Sequence, residues 1–237
     1  MKISQLIAVM CLLVLADQSY AQATEREIGL EEITVTAQRR AESLQEAAIP
    51  VTAVSGQTLV DQSITQAADL TRIVPSLQIA PASALTQIYL RGIGTFGANA
   101  WAEQGVAFNL DGVYLSRPSA PVGLFYDLER IEVLKGPQGT LYGRNATGGA
   151  LNVLTARPNF DGVDGYVNAE FGDYNEFKTS AAINIPAGDQ LAFRFAGQYA
   201  THDGYLSDGY DDEDSWSTRG KLRFKNDAGT DIIVSAD

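Results

Sequence analysis

Hydrophobic and polar positions along the chain fall into three regimes with different periods. The first is a leader: one positive charge at Lys2, then an apolar run from Ile3 to Ala16. That run is shorter than the roughly 20 residues of a membrane-spanning helix, which fits a secretory signal. The small residues Ala21 and Ala23 offer cleavage points, so residues 1–21 are expected to be removed on export.

The second regime, residues 41–157, reads as a compact α+β domain. Thr65 is placed to cap a short helix running through Ile73, stopped by Pro75. Short apolar runs separated by glycine turns predict strands over Gln87–Arg91, Val106–Leu110, Arg130–Lys135 and Ala150–Thr155.

From Pro158 the period becomes two. Val163 to Phe171, Phe177 to Ile185, Leu191 to Tyr199 and Trp216 to Phe224 each carry apolar residues on one face. Polar residues, Arg194, Gln198, Arg219, Lys221, Arg223 and Lys225 among them, occupy the other. Such strands suit a barrel crossing hydrocarbon, where roughly 9–11 tilted residues suffice. The connections Pro186–Gln190 and Asn226–Gly229 are short, whereas His202–Ser215 is long and acidic, as in outer-membrane barrels; the short link from Phe171 to Phe177 fits that habit less well. A fifth strand begins near Thr230. Five strands cannot close a barrel, and open edges in lipid are costly, so an N-terminal fragment is expected.

Composition removes several kinds of chemistry. A formal charge of −12 lacks the basic footprint of a nucleic-acid binder. Cys11, the only cysteine, lies in the leader, so thiolate metal sites and cysteine nucleophiles are not expected; nor do Val9 and Met10 before it fit a lipoprotein signal. His202 is the only histidine and has no neighbouring ligand set, which argues against a transition-metal site and a Ser-His-Asp array. The acidic stretch with Asp208, Asp211, Asp212, Glu213 and Asp214 lacks EF-hand spacing and reads as a solvated loop. The glycines between Lys135 and Gly149 neither form a Walker loop nor open a long helix. No enzyme, cofactor or metal is therefore expected.

Between leader and domain, Glu31-Glu32-Ile33-Thr34-Val35-Thr36-Ala37-Gln38-Arg39-Arg40 is β-prone at its centre and charged at its ends. Ile33, Val35 and Ala37 share one side and Thr34 and Thr36 the other, as an edge-adding strand requires. An ordinary first edge strand reads the same way.

The segment Phe108-Asn109-Leu110-Asp111-Gly112-Val113-Tyr114, with the stretch from Asp127-Leu128-Glu129-Arg130-Ile131-Glu132-Val133-Leu134-Lys135-Gly136-Pro137 through Gly148-Gly149-Ala150-Leu151-Asn152, closely resembles the plug domain of TonB-dependent receptors. The 31–40 segment looks like a TonB box, and Leu90-Arg91-Gly92-Ile93 like the plug's arginine-glycine strand end. The resemblance implies an α+β plug domain followed by the first antiparallel strands of a truncated outer-membrane β-barrel. It divides the chain into a signal peptide at 1–21, a periplasmic segment with the box at 22–40, a plug at 41–157 and barrel strands at 158–237.

The same resemblance implies transport of a scarce nutrient, an iron–siderophore complex first, with carbohydrate, cobalamin or haem as alternatives. The expected partners are TonB through Ile33, Thr34, Val35, Thr36 and Ala37, outer-membrane lipid, and a small-molecule ligand. Arg91 and Lys135 would lock the plug to barrel carboxylates beyond residue 237. Phe96, Trp101, Tyr114 and Arg117 would meet ligand from outward loops. A passive porin would leave plug and box without purpose, and a signalling receptor would need a further periplasmic domain before the box.

Overall fold

The computed structural model describes residues 34–36, 39–40, 42–82, 85–95, 103–116 and 125–237. All of them belong to one compact unit, Ile33–Asp237; the remaining unit, Met1–Glu32, including the expected leader, lies outside the described residues.

A mixed five-stranded sheet forms the centre of the plug region. Its order is β3 (Val51–Ser55), β9 (Leu128–Lys135), β10 (Gly149–Thr155), β7 (Val106–Leu110) and β8 (Val113–Tyr114). β10 and β7 run parallel, and the other neighbours antiparallel. Both faces are covered, which is why the central strand β10 is buried at every position and its sequence, Gly-Ala-Leu-Asn-Val-Leu-Thr, shows little alternation. One face packs Val54, Ile131, Val133, Leu151, Val153, Val106 and Phe108 against a helical flank and a small sheet. The other gathers Leu134, Ala150 and Ala107 with Val35, Tyr142 and Ala146.

The flank begins with a helix over Gly56–Asp61, where the Ser55 hydroxyl accepts from the Thr58 amide. A 3-10 helix over Ala67–Arg72 follows. The expected Thr65-capped helix is thus corrected. Asp69 closes that terminus by accepting from the Thr65 and Gln66 amides, each at 3.2 Å, and the helix starts two residues later and tightens to 3-10. β4 (Leu77–Ala82), β5 (Leu85–Leu90) and β6 (Ile93–Gly94) make the small sheet.

Two hairpins use the same turn chemistry. Arg91-Gly92 joins β5 to β6 with φ of 53° and 77°, and Asp111-Gly112 joins β7 to β8 with φ of 47° and 83°. Both central residues are left-handed, which glycine accepts at no steric cost and aspartate tolerates better than most residues. A two-stranded pair, β1 (Thr34–Val35) with β2 (Glu42–Ser43), completes the region.

The alternating segments form an antiparallel meander in chain order: β11 (Asp164–Phe171), β12 (Phe177–Pro186), β13 (Leu191–His202), β14 (Glu213–Lys225) and β15 (Asp231–Ala236). The period-two pattern fixes which face meets the plug. Val163, Val167, Phe171, Phe195 and Trp216 stand exposed on the outer face. Arg194, Arg219 and Lys221 are buried on the inner one. No helix among the described residues is long and apolar enough to cross a membrane.

Candidate functional site

Glu132 is a carboxylate among the apolar residues Ile131, Val133 and Leu134 of β9, and it is fully buried. Its row across the sheet runs from Ala53 through Glu132 and Asn152 to Asn109. Four donors converge on it. The Thr36 amide reaches Oε1 at 2.7 Å, the Thr36 hydroxyl Oε1 at 3.2 Å, Arg130 Nε Oε1 at 2.8 Å, and Asn152 Nδ2 Oε2 at 3.2 Å. An ionised carboxylate accepts only, so this arrangement uses its charge fully and offsets its desolvation. Arg130 also pairs with Glu129 and donates to the Thr36 hydroxyl at 3.3 Å.

What this network holds is the candidate box. Thr34 and Val35 pair with Ser43 and Glu42, and Val35 is completely buried in the cluster containing Leu134, Tyr142, Ala146 and Ala150. Beyond it, Arg39 lies 5.2 Å from the Tyr142 ring centre and donates to the Leu141 carbonyl at 3.1 Å. Burial, and then the charge of Glu132, push the Tyr142 hydroxyl up to about 12. The candidate box is therefore docked, with one strand edge paired to β2 and its valine buried. Ile33 and Ala37 lie outside the described residues.

A second set of charges joins the plug to the strand wall. Arg194 on β13 grips Asp127 through two parallel bonds, Nε to Oδ2 at 2.8 Å and Nη2 to Oδ1 at 2.6 Å. Lys221 on β14 spends all three of its donors on the plug: Asp111 Oδ2 at 3.0 Å, the Thr155 carbonyl at 3.3 Å, and the Thr155 hydroxyl. Thr155 in turn donates its amide, at 2.9 Å, and its hydroxyl to Asp111. Burial pushes the Asp111 carboxyl up, but the Thr155 bonds and the Lys221 ammonium outweigh it and hold the group below its ordinary value. Arg219 lies over the Tyr126 ring at 4.5 Å and donates to the Tyr126 carbonyl at 3.1 Å, while Tyr126 seats on Ala182 and Ala196 of the wall. Arg223 donates to the Pro158 carbonyl at 3.1 Å.

These contacts have the opposite polarity to the expected lock: the carboxylates belong to the plug and the cations to the wall. Arg91 is exposed and Lys135 half-buried, and neither forms an ion pair with a described residue. Tyr114 sits on β8 beside the box cluster, its hydroxyl accepting from Asn145 Nδ2 at 2.7 Å. Phe96, Trp101 and Arg117 lie outside the described residues. Asp111, Asp127 and Glu132 are not among the residues that the sequence singles out; the cations on the wet strand face are the signal for the first two, and an acid set between Ile131 and Val133 is the signal for Glu132.

The long acidic connection is partly tied down. The Asp203 amide donates to the Tyr174 carbonyl at 2.8 Å, and the His202 ring stacks on Tyr205 at 4.5 Å. Among the described residues no group of acids, histidines or cysteines is arranged to hold a metal.

Residues 43–150 match the model of the TonB-dependent Receptor Plug Domain. The chain is 27% identical over 175 residues to the Pesticin receptor of Yersinia enterocolitica, covering 73% of this chain and 25% of that protein. It is 26% identical over 202 residues to the Vitamin B12 transporter BtuB of Vibrio vulnificus, covering 77% of this chain and 31% of that one. The chain thus spans roughly a quarter to a third of the length of these relatives. Among solved structures, the ferric yersiniabactin uptake receptor FyuA from Yersinia pestis is similar with a TM-score of 0.67 at 28% identity, over 76% of this chain and 29% of that one. The pyoverdine outer membrane receptor FpvA from Pseudomonas aeruginosa shares the fold, with a TM-score of 0.70 at 21% identity over 85% of this chain and 29% of that one.

Proposed function

We propose that the chain, whose residues 43–150 match the TonB-dependent receptor plug domain, acts as an outer-membrane receptor of that family in the energised import of an iron–siderophore complex. The siderophore reading rests on the likeness to the ferric yersiniabactin uptake receptor. Cobalamin is the second reading, supported by the likeness to the vitamin B12 transporter.

In this reading Ile33 to Ala37 are the handle that TonB grips. An extended segment adds to a partner sheet through main-chain bonds, with alternate side chains giving selectivity. The observation that carries the proposal is the docked state of Thr34–Thr36. A strand held by two pairings, one fully buried valine and a buried carboxylate is stored out of reach, and it becomes available only when the plug lets it go. The exposed apolar outer face of β11–β15 meets lipid, and the charged inner face holds the plug.

Nothing in the plug supplies chemical energy, so import requires work delivered through the box. Val35→Pro removes a main-chain donor and fixes φ, which spoils strand addition. Energy-dependent accumulation of radio-iron from ferric siderophores should be abolished in cells carrying this variant, with surface binding of the same complexes retained. Unchanged accumulation would reject the handle.

A further inference from the structure

Counted from the 187–190 turn, the inward rows of the strand wall change chemistry with height. Ala192 and Arg223 form the first row; Asn184, Arg194 and Lys221 the second; Ala182, Ala196 and Arg219 the third. The fourth row is neutral: Asn168, Ser180, Gln198 and Ser217. The wall cations that bond to the plug, Arg194, Arg219 and Lys221, come from the second and third rows. Above them wall and plug stand apart, and a cleft of about 990 Å³ opens between β11–β13 and the helical flank from Gly56 to Ala68.

The flank contributes Gln57, Thr65 and Gln66 to this cleft, and the wall contributes Asn168, Ser180 and Gln198. Below, Asp127 and Arg194 close the floor, and because each satisfies the other they present no free charge to it. Glu170, Lys178 and Glu213 stand at the upper rim. Hydroxyls and side-chain amides offer both donors and acceptors without net charge. Between the paired floor and the charged rim, a charged solute would lose hydration without meeting a counter-charge, whereas a neutral hydroxylated or amide-bearing one exchanges water hydrogen bonds for equivalent ones. The volume lies within the roughly 300–1,000 Å³ typical of ligand pockets.

We propose that this cleft between the Gly56–Ala68 flank and the neutral wall row is a second ligand station, holding the neutral hydroxyl- or amide-rich part of the imported molecule on its way past the plug. The inference rests on the receptor reading above but is tested without it.

The test uses thiol labelling of the full-length receptor assembled in outer membranes, in a background from which every native cysteine has been replaced by alanine; residues 1–237 contribute one, Cys11 of the expected leader. Ser180→Cys and Gln198→Cys are challenged with methanethiosulfonate reagents bearing a neutral hexose, a sulfonate or a trimethylammonium group. Rates are normalised to those of free cysteine. Both positions should label, and the hexose reagent should react about tenfold faster than either charged reagent, a difference of the size set by one modest polar contact. Trp216→Cys, on the outer face of β14 and away from the cleft, should stay silent to all three. Unreactive cysteines at both wall positions, meaning that plug and wall are packed together there, overturn the proposal. So does an order of rates that simply follows reagent charge. Either failure leaves TonB-dependent accumulation untouched, whereas failure of the receptor reading would show as ordinary labelling without accumulation.

Discussion

Replacing Glu132 by glutamine tests the storage of the box most directly. The wild-type carboxylate receives donors only: the Thr36 amide and hydroxyl, Arg130 and Asn152. A glutamine of the same shape keeps one acceptor oxygen but turns the other position into an NH2 group facing donors. At least one bond is lost and the rest lose their charge assistance. The bond lost is the one from Asn152 to Oε2, outside the box, while the amide oxygen keeps the Thr36 and Arg130 donors of Oε1. Bonds to a charged acceptor contribute about 1.5–3 kcal/mol and neutral ones about 0.5–1.5, so the two Thr36 bonds together weaken enough to shift the docked-to-free ratio of the box roughly tenfold or more. Arg130 is not orphaned, because Glu129 remains its partner. The plug should therefore stay folded.

Gripping by TonB requires the segment to leave its pairing with Glu42 and Ser43 and the buried seat of Val35. Its apparent affinity is reduced by the fraction of receptor with a free box, and the variant should recover that factor. The assay is titration of the purified TonB periplasmic domain with detergent-solubilised receptor, using fluorescence anisotropy. Without any ligand present, Glu132→Gln should bind about tenfold or more tightly than wild type. A synthetic peptide spanning residues 31–40 should bind TonB with one affinity throughout, which assigns the change to release of the box. Equal affinities for the two receptors would refute the latch, since the box would then be free irrespective of Glu132.

Two further outcomes follow from the wall contacts. Asp127→Asn leaves the buried Arg194 guanidinium with half of its grip, and breaking one partner of a buried pair costs about 3–5 kcal/mol. The urea midpoint for plug release, followed by protease sensitivity, should fall, and the double variant with Arg194→Met should lose less than the sum of the two single changes. Asp111 predicts an acid limb. Its folded carboxyl is held below the ordinary 3.8, so the unfolded state binds more protons at low pH. Its contribution is complete above that ordinary value and is lost as pH falls through the depressed one. Asp111→Asn should flatten release-versus-pH curves in that window, and an unchanged acid limb would show that Lys221 and Thr155 do not stabilise the carboxylate.

The strand wall is the most legible part of the fold, because period-two alternation encodes facing directly: of the wet-face cations, Arg194, Arg219 and Lys221 bond to the plug, and Arg223 pairs with Asp231 within the wall. In the plug, Val106–Leu110 was found to the residue and β9 and β10 nearly so, since short apolar runs bounded by glycine locate buried strands. Val51–Ser55, Leu77–Ala82 and the Gly56–Asp61 helix were missed. A five-residue edge strand followed at once by a six-residue helix carries too few periods to be read, and Ser55 was the single capping cue. The box was legible as a strand but its docking was not, because nothing local in Thr34–Thr36 says that its partner stands 96 residues away at Glu132. The polarity of the plug–wall contacts was hidden for a related reason: Asp111 and Asp127 read as turn residues, and their left-handed backbones, at φ of 47° and 50°, are what aim them at the wall.

The two functional networks are neighbours on the same strands. Asn109 and Asn152 pair across β7 and β10, and the unpartnered Asn109 Nδ2 and Asn152 Oδ1 are a donor and an acceptor on adjacent strands. A small approach would extend the Glu132–Asn152 contact into a three-residue ladder. Two residues beyond Asn109 is Asp111, and three beyond Asn152 is Thr155, the pair gripped by Lys221. A side-chain row that stores the handle is thus built on the strands that are bolted to the wall. Pulling the box free takes two donors from Glu132 but leaves Lys221 and Arg194 with all of theirs, so the first step of release can proceed while the plug stays in its seat.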